Sequence, residues 1–267
     1  MTNLDTVNAL LTAINFDRFA DIEALHNPDA TFASFMGPIL HDSVAIADWH
    51  TTFLREYADC NYTELEYLED GDRVGVRATI EAKGYTWRPF TQRVVESYVV
   101  EGRGIARRFL YGMLRDLELD KPTTKAMEDA AEFPGGSPAA TKKAADAFVA
   151  AIECADFDHD ATAALFDDKA VLIDTVYGNA TGLDNIIEAS RALPLPLFGT
   201  PRVTNALYGP KDALIELAID PSRPRQAYWV RVVEGKIRVI ESYWMLREIG
   251  IKHTDPERHK RQIIPPI

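Results

Sequence analysis

The chain repeats itself, and an internal repeat constrains a fold more than any local pattern does. Phe16-Asp17 recurs as Phe157-Asp158, Gly37 as Gly178 and Ile46 as Ile187, a separation of about 141 residues that holds through the first third of each half. Further on the offset shortens, as loops of unequal length require. Val99-Val100-Glu101-Gly102 matches Val232-Val233-Glu234-Gly235, and Met113-Leu114-Arg115-Asp116 matches Met245-Leu246-Arg247-Glu248. A length of 267 residues admits one large domain or two ordinary ones; the repeat selects two. Between the copies, Lys-Pro-Thr-Thr and Phe-Pro-Gly-Gly-Ser-Pro give a turn-rich stretch that predicts a linker with one short helix around Thr124 to Ala131. The expected division is a first domain over 1–119, a linker over 120–140, a second domain over 141–250 and a tail over 251–267.

Each half shows the same order of elements. In the first, Val7, Leu10, Leu11 and Ile14 recur at helical spacing, Phe19 to Leu25 continues as a second helix, and Asn27-Pro28-Asp29 reads as a stop and turn. Ala30 to Met36 has strand character, Gly37-Pro38 turns the chain, and Ser43 is expected to cap a third helix whose Ile46, Phe53 and Tyr57 share a face. Val74, Val76, Ala78 and Ile80 then alternate with Arg73, Gly75, Arg77 and Thr79, the period of a sheet with one buried face. Strands at Thr91 to Val100 and Ile105 to Leu114 follow. The second half repeats the plan with helices at Thr141 to Ala155, Ala161 to Phe166 and Asp184 to Ala192, and with strands at Ala170 to Tyr177, Arg202 to Leu207, Ala213 to Ile219, Gln226 to Val233 and Lys236 to Leu246. The expected class is α+β: two tandem cone-shaped domains, each with about three N-terminal helices on a curved antiparallel sheet.

Composition narrows the partners. With 46% apolar and 26% charged residues the chain reads as a water-soluble globular protein. Its 29 Lys and Arg stand against 41 Asp and Glu, and a formal charge of −12 repels phosphate backbones and anionic membranes. No nucleic acid or membrane partner is expected. The basic run Lys252 to Arg261 is broken by Asp255 and Glu257 and reads as a solvated tail. No stretch nears the roughly 18 apolar residues of a membrane span, and the N-terminus has no leader pattern, so a cytoplasmic location is expected. Cys60 and Cys154 are too far apart and too few for a disulfide framework or a zinc site. Gly-x-Gly-x-x-Gly, P-loop, Gly-x-Ser-x-Gly and His-Glu-x-x-His patterns are absent, so no cofactor or metal is expected. His253 and His259 flank Asp255 and Glu257 in the tail and are not taken as ligands.

The segment Glu234-Gly235-Lys236-Ile237-Arg238-Val239-Ile240-Glu241-Ser242-Tyr243-Trp244 resembles the final hairpin of SnoaL-like proteins in the nuclear transport factor 2-like superfamily, and Glu101 to Tyr111 is a looser copy. The resemblance extends in element order over nearly all of both halves. It implies a bent sheet wrapped around helices to leave a conical, largely apolar pocket for a small molecule, and pairing of domains through the outer face of the sheet. Here that pairing would become an intramolecular pseudo-dimer, with further homo-oligomerisation open. The superfamily includes cofactor-free isomerases, cyclases, dehydratases and lyases as well as binding modules, so fold does not settle function. The acid that SnoaL-like cyclases carry on the last strand falls at Leu110 in the first half and at Ser242 in the second, so it is missing from both.

Alternation along the last strand of the first half puts Arg108, Leu110 and Gly112 toward the pocket and Arg107, Phe109 and Tyr111 away from it. On the preceding strand the resemblance places the family's pocket residues at Val94, Glu96 and Tyr98. His50 lies four residues after Ile46 and three before Phe53, which turns its ring to the apolar face. Glu96, Arg108, His50 and Tyr98 are therefore the candidate catalytic residues, with Arg108 expected to keep the Glu96 carboxylate charged. Trp49, Phe53, Trp87, Val94 and Leu110 are the candidate substrate-binding residues. Plainer readings stand beside these: an exposed Glu96–Arg108 cross-strand pair, a core His50 bonded to a backbone carbonyl, and aromatics that only fill the sheet. The second half offers Tyr228, Ile240, Ser242 and Trp244, with Asp174 and Arg191 further off and Asp174 read as a solvent-facing carboxylate; little there can move a proton.

The expected activity is a cofactor-independent lyase or isomerase on a small hydrophobic aromatic molecule. The specific reaction favoured by the resemblance is formaldehyde release from lignin-derived aromatic dimers. A polyketide or steroid-like cyclase or dehydratase, and a ligand-binding module without catalysis, are the alternatives.

Overall fold

In the computed structural model, residues 2–35, 37–84, 90–113, 121–153, 159–174, 178–192, 202–220 and 223–245 are described. The first half runs α1 (Asn3–Asn15), α2 (Phe19–Ala24), β1 (His26–Ser34), β2 (Ile39–His41), α3 (Ser43–Glu56), β3 (Tyr57–Asp70), β4 (Arg73–Gly84), β5 (Phe90–Glu101) and β6 (Gly104–Gly112). After α4 (Lys121–Ala131) come α5 (Pro138–Glu153), α6 (His159–Ala163), β7 (Phe166–Asp174), β8 (Gly178–Thr181), α7 (Leu183–Ala192), β9 (Arg202–Tyr208), β10 (Asp212–Asp220), β11 (Arg223–Val233) and β12 (Lys236–Trp244). Apart from α4, the second half replays the first, element for element.

Local chemistry explains the helix starts. Thr2 accepts from the Asp5 amide at 3.1 Å while the Asp5 carboxylate accepts from the Thr2 amide at 2.7 Å, a reciprocal cap that opens α1 and leaves Val7, Leu10, Leu11 and Ile14 buried. The cap of α3 is Asp42, whose carboxylate takes the Ala45 amide at 2.7 Å, and not the expected Ser43.

The strands form one hydrogen-bonded order, β3-β4-β5-β6-β12-β11-β10-β9, with β1 against β6 and β7 against β12. The two halves join where Trp244 of β12 pairs antiparallel with Gly112 of β6. These positions are equivalent in the element order of the two halves, and a residue meeting its own counterpart is the pairing that a two-fold relation between the halves gives. The expected purely antiparallel sheets need correction, because β1 runs parallel to β6 and β7 parallel to β12. The expected turn at Asn27-Pro28-Asp29 is instead part of β1. The register against β6 shifts between His26 and Thr31, so the proline sits in an irregularity where its missing N–H costs no ladder bond. The sequence reading also passed over β2, β3 and β8.

The expected two separate sheets are thus one continuous sheet, with α1 to α3 packed on the inner face of its first-half strands, α5 and α7 on that of its second-half strands, and α6 against α5 and α7. The outer faces meet each other. Gly75 allows that approach, since a Cβ there would lie 2.8 Å from a methyl of Leu214. No helix among the described residues is long and apolar enough to cross a membrane.

Candidate functional site

Inside the first sheet, β5 and β6 pair so that Tyr98 lies opposite Arg108 and Glu96 opposite Leu110, which makes Glu96 and Arg108 diagonal neighbours on the inner face. Both side chains are 0% exposed, which rules out the exposed cross-strand pair. Arg108 donates from Nε to Oε2 of Glu96 and from Nη2 to Oε1 at 3.1 Å, and Tyr98 donates to Oε2 at 2.5 Å. The guanidinium also donates to Nε2 of His50 at 2.8 Å and to the Tyr62 hydroxyl at 3.0 Å. One face of it lies 4.8 Å from the ring centre of Phe32, which stands beside Arg108 in the β1–β6 register.

All four candidate catalytic residues therefore come together, and the plainer reading of His50 also holds: its Nδ1 is 2.9 Å from the Ile46 carbonyl, one turn back on α3. With the Nδ1 hydrogen given to that carbonyl, Nε2 is the acceptor for Arg108 and the ring is neutral. Burial first, and then the Arg108 charge, push the His50 pKa well below the usual imidazole range. Burial also raises the Tyr62 and Tyr98 hydroxyls well above theirs, with the Glu96 carboxylate adding to it.

Among the candidate substrate-binding residues, Trp49 and Phe53 stack at 5.2 Å on the face of α3 next to His50, and both are half-buried. Val94 and Leu110 are buried core residues. Trp87 lies outside the described residues, as do Cys154, His253, His259 and the side chain of Arg191. Cys60 is a buried free thiol whose pKa is pushed up to about 12, chiefly by burial. The sequence reading missed Tyr62, Phe32 and His26. Tyr62 sits on the unread β3, and His26 was hidden by the expected turn that begins one residue later.

In the second half, Tyr228 and Ile240 stand where the first half has Glu96 and Arg108, so that cone has no corresponding ion pair. Gln226 donates to the Ser242 hydroxyl at 2.8 Å, and the Trp244 indole donates to Asp174 at 3.3 Å. Asp174 is 5% exposed, so the solvent-facing reading is corrected: strand β7 carries it against β12, within reach of that indole.

Between the sheets lies a second polar layer. Glu241 of β12 is 1% exposed and accepts from Arg77 through two nitrogens, from Arg93 at 3.0 Å and from the Tyr243 hydroxyl at 3.2 Å. Burial alone would raise its pKa, but the two arginines hold it below the usual range. Glu216 of β10 accepts from Ser97, Tyr111 and Asn205. Tyr111 thus faces away from the cone, as alternation on β6 requires.

Residues 7–108 match the family model of the SnoaL-like domain. No curated protein matches the sequence significantly. Similar solved structures include a protein of ketosteroid isomerase-like fold from Catenulispora acidiphila in complex with trimethylamine, at 18% identity, covering 40% of this chain and 83% of that one with a TM-score of 0.38. Another is a nuclear transport factor 2-like protein from Burkholderia pseudomallei, at 18% identity over 42% of this chain and 92% of that one, TM-score 0.39. A third, a polyketide cyclase candidate from Streptomyces antibioticus, is 17% identical over 42% and 92%, TM-score 0.37. The matched segment contains His50, Tyr62, Glu96, Tyr98 and Arg108, so the whole cluster lies within the part of the chain that is similar to the SnoaL-like domain.

Proposed function

We propose that the first half of the chain is a cofactor-independent acid–base enzyme, a lyase or isomerase, acting on a small hydrophobic aromatic molecule held in its cone. The observation that carries this is the fully buried Glu96–Arg108 pair with Tyr98, Tyr62 and His50 around it. A buried ion pair is a poor way to stabilise a core, because well-packed apolar replacements are often neutral or better by about 1–4 kcal/mol. Fixed charges and dipoles in a dry cavity are, in contrast, an effective way to stabilise charge that develops on a substrate. The Trp49–Phe53 stack beside His50 offers an aromatic wall of matching chemistry.

In this reading residues 1–119 form the catalytic unit, 120–140 connect, 141–250 form the intramolecular partner and 251–267 are a tail. The specific reaction we assign is formaldehyde release from a lignin-derived aromatic dimer. A base takes the proton of the primary alcohol, the carbon–carbon bond breaks with its electron pair passing through the aryl-bearing carbon into a new carbon–carbon double bond, and the neighbouring benzylic hydroxyl takes up a proton and leaves as water, so that the products are formaldehyde, water and a diarylethene. A cyclase acting through a lone carboxylate is disfavoured, since Glu96 is paired with Arg108.

The test is incubation of the purified chain with a 1,2-diarylpropane-1,3-diol and measurement of trapped formaldehyde. The expected result is formaldehyde in proportion to substrate consumed, reduced at least about 100-fold in Glu96→Gln, a loss typical of a removed electrostatic group. Binding of the diol without turnover would leave a ligand-binding module and overturn the enzymatic reading.

A further inference from the structure

Within the first cone most acceptors are already taken. The Glu96 carboxylate receives two bonds from Arg108 and one from Tyr98. That uses three of its roughly four lone-pair positions. His50 Nε2 is occupied by Arg108. His26 differs. Its Nδ1 lies 2.7 Å from the Ile22 carbonyl, so that nitrogen carries the hydrogen and Nε2 is a bare lone pair. The residue is 5% exposed, and Nε2 has no partner among the described residues.

Its position ties it to the cluster. His26 begins β1 beside Ile105, three residues before Arg108 on β6, while six residues of β1 and a register shift separate it from Phe32, and the charges of Arg108 and Glu96 bear on its ring. A buried nitrogen acceptor without a donor costs on the order of 1–3 kcal/mol, a cost that a ligand hydroxyl would remove. We propose that His26 Nε2 is the hydrogen-bond acceptor for the substrate, and that the substrate class is therefore a hydroxyl-bearing aromatic, oriented with its O–H toward that nitrogen. The inference rests on the first half being a ligand-binding cone. It shifts direct contact with the ligand from Glu96, which acts as a positioning and field-setting group, to His26. It also separates ligands by chemistry, since a methyl ether of the same shape can accept a hydrogen bond but cannot donate one.

The experiment uses the full chain with phenol and methoxybenzene as probes, followed by calorimetry and by the imidazole nitrogen resonances of 15N-histidine-labelled protein. Phenol should bind at least tenfold more tightly than methoxybenzene, with the His26 Nε2 resonance moving to its hydrogen-bonded position only for phenol. His26→Leu should remove the preference; if that variant does not fold, the wild-type resonance decides alone. Equal binding of both probes, or an Nε2 resonance that phenol leaves unmoved, overturns the role of His26 and leaves the cone reading intact. Binding of neither probe overturns both.

Discussion

Arg108 grips Glu96 through two nitrogens with neither side chain reaching solvent, so each charge depends on the other for its place in the core. Glu96→Leu or Arg108→Met alone should cost about 3–5 kcal/mol in urea unfolding, because each strands a buried charge. The double variant should recover to within about 1 kcal/mol of the parent, since apolar pairs commonly replace buried ion pairs without loss. It should nevertheless have no turnover. A stable double variant with full activity would reduce the pair to scaffolding.

Acid should weaken the fold through His26. Burial first, and the Arg108 charge in addition, lower its pKa from 6.5 to about 4, against the opposing pull of the Ile22 carbonyl bond and of Glu96. Between those two values the unfolded chain binds a proton that the folded chain refuses, so stability is fully present above about pH 6.5 and falls as pH drops toward 4. The expected loss from this group is about 3 kcal/mol, and His50 adds to it in the same direction. Denaturant midpoints across this window, compared with those of His26→Gln, should show a shallower decline in the variant.

The layer between the halves depends on Glu241. Replacing it with Leu leaves Arg77 and Arg93 facing each other without their shared carboxylate and should cost about 2–4 kcal/mol. Tyr111→Phe, which removes one of the donors to Glu216, should cost about 1–3 kcal/mol. Neither should change phenol affinity in the first cone by more than about twofold, because both lie on the opposite face of the sheet. Thermal unfolding and probe titration would separate the two effects.

Gly112 of β6 lies directly against the Phe35 ring. A Cβ there would come within 2.6 Å of the Phe35 ring, so Gly112→Ala must move a buried aromatic and should lose about 1–3 kcal/mol. Gly102→Ala is the control. Nothing lies within 4 Å of its Cβ position, and only the positive φ of 67° is strained, so about 1 kcal/mol is expected.

Much of the site was readable in sequence because sheet chemistry has a period of two. Once β5 and β6 were recognised as a hairpin, parity separated Arg108 from Tyr111, the resemblance to the family's pocket positions picked out Glu96 and Tyr98, and the spacing from Ile46 turned His50 inward. Tyr62 escaped because β3 was not read as a strand. Phe32 and His26 escaped because β1 pairs parallel with β6 across more than 70 residues of chain, a contact no local pattern encodes.

By itself the sequence determined the repeated order of the longer helices and of the strands β4 to β6 and β9 to β12, and which residues share a face on them, since these follow from periodicity and from local turn chemistry. Only the tertiary structure decided that Glu96 and Arg108 are sealed from water, that His50 already has its hydrogen-bond partner, that His26 Nε2 has none among the described residues, and that Glu241 and Glu216 join the two halves. These depend on burial and on distances between segments far apart in the chain. One carboxylate–guanidinium pair is worth little in water and a great deal in a dry core, and which of the two surrounds it is decided by packing.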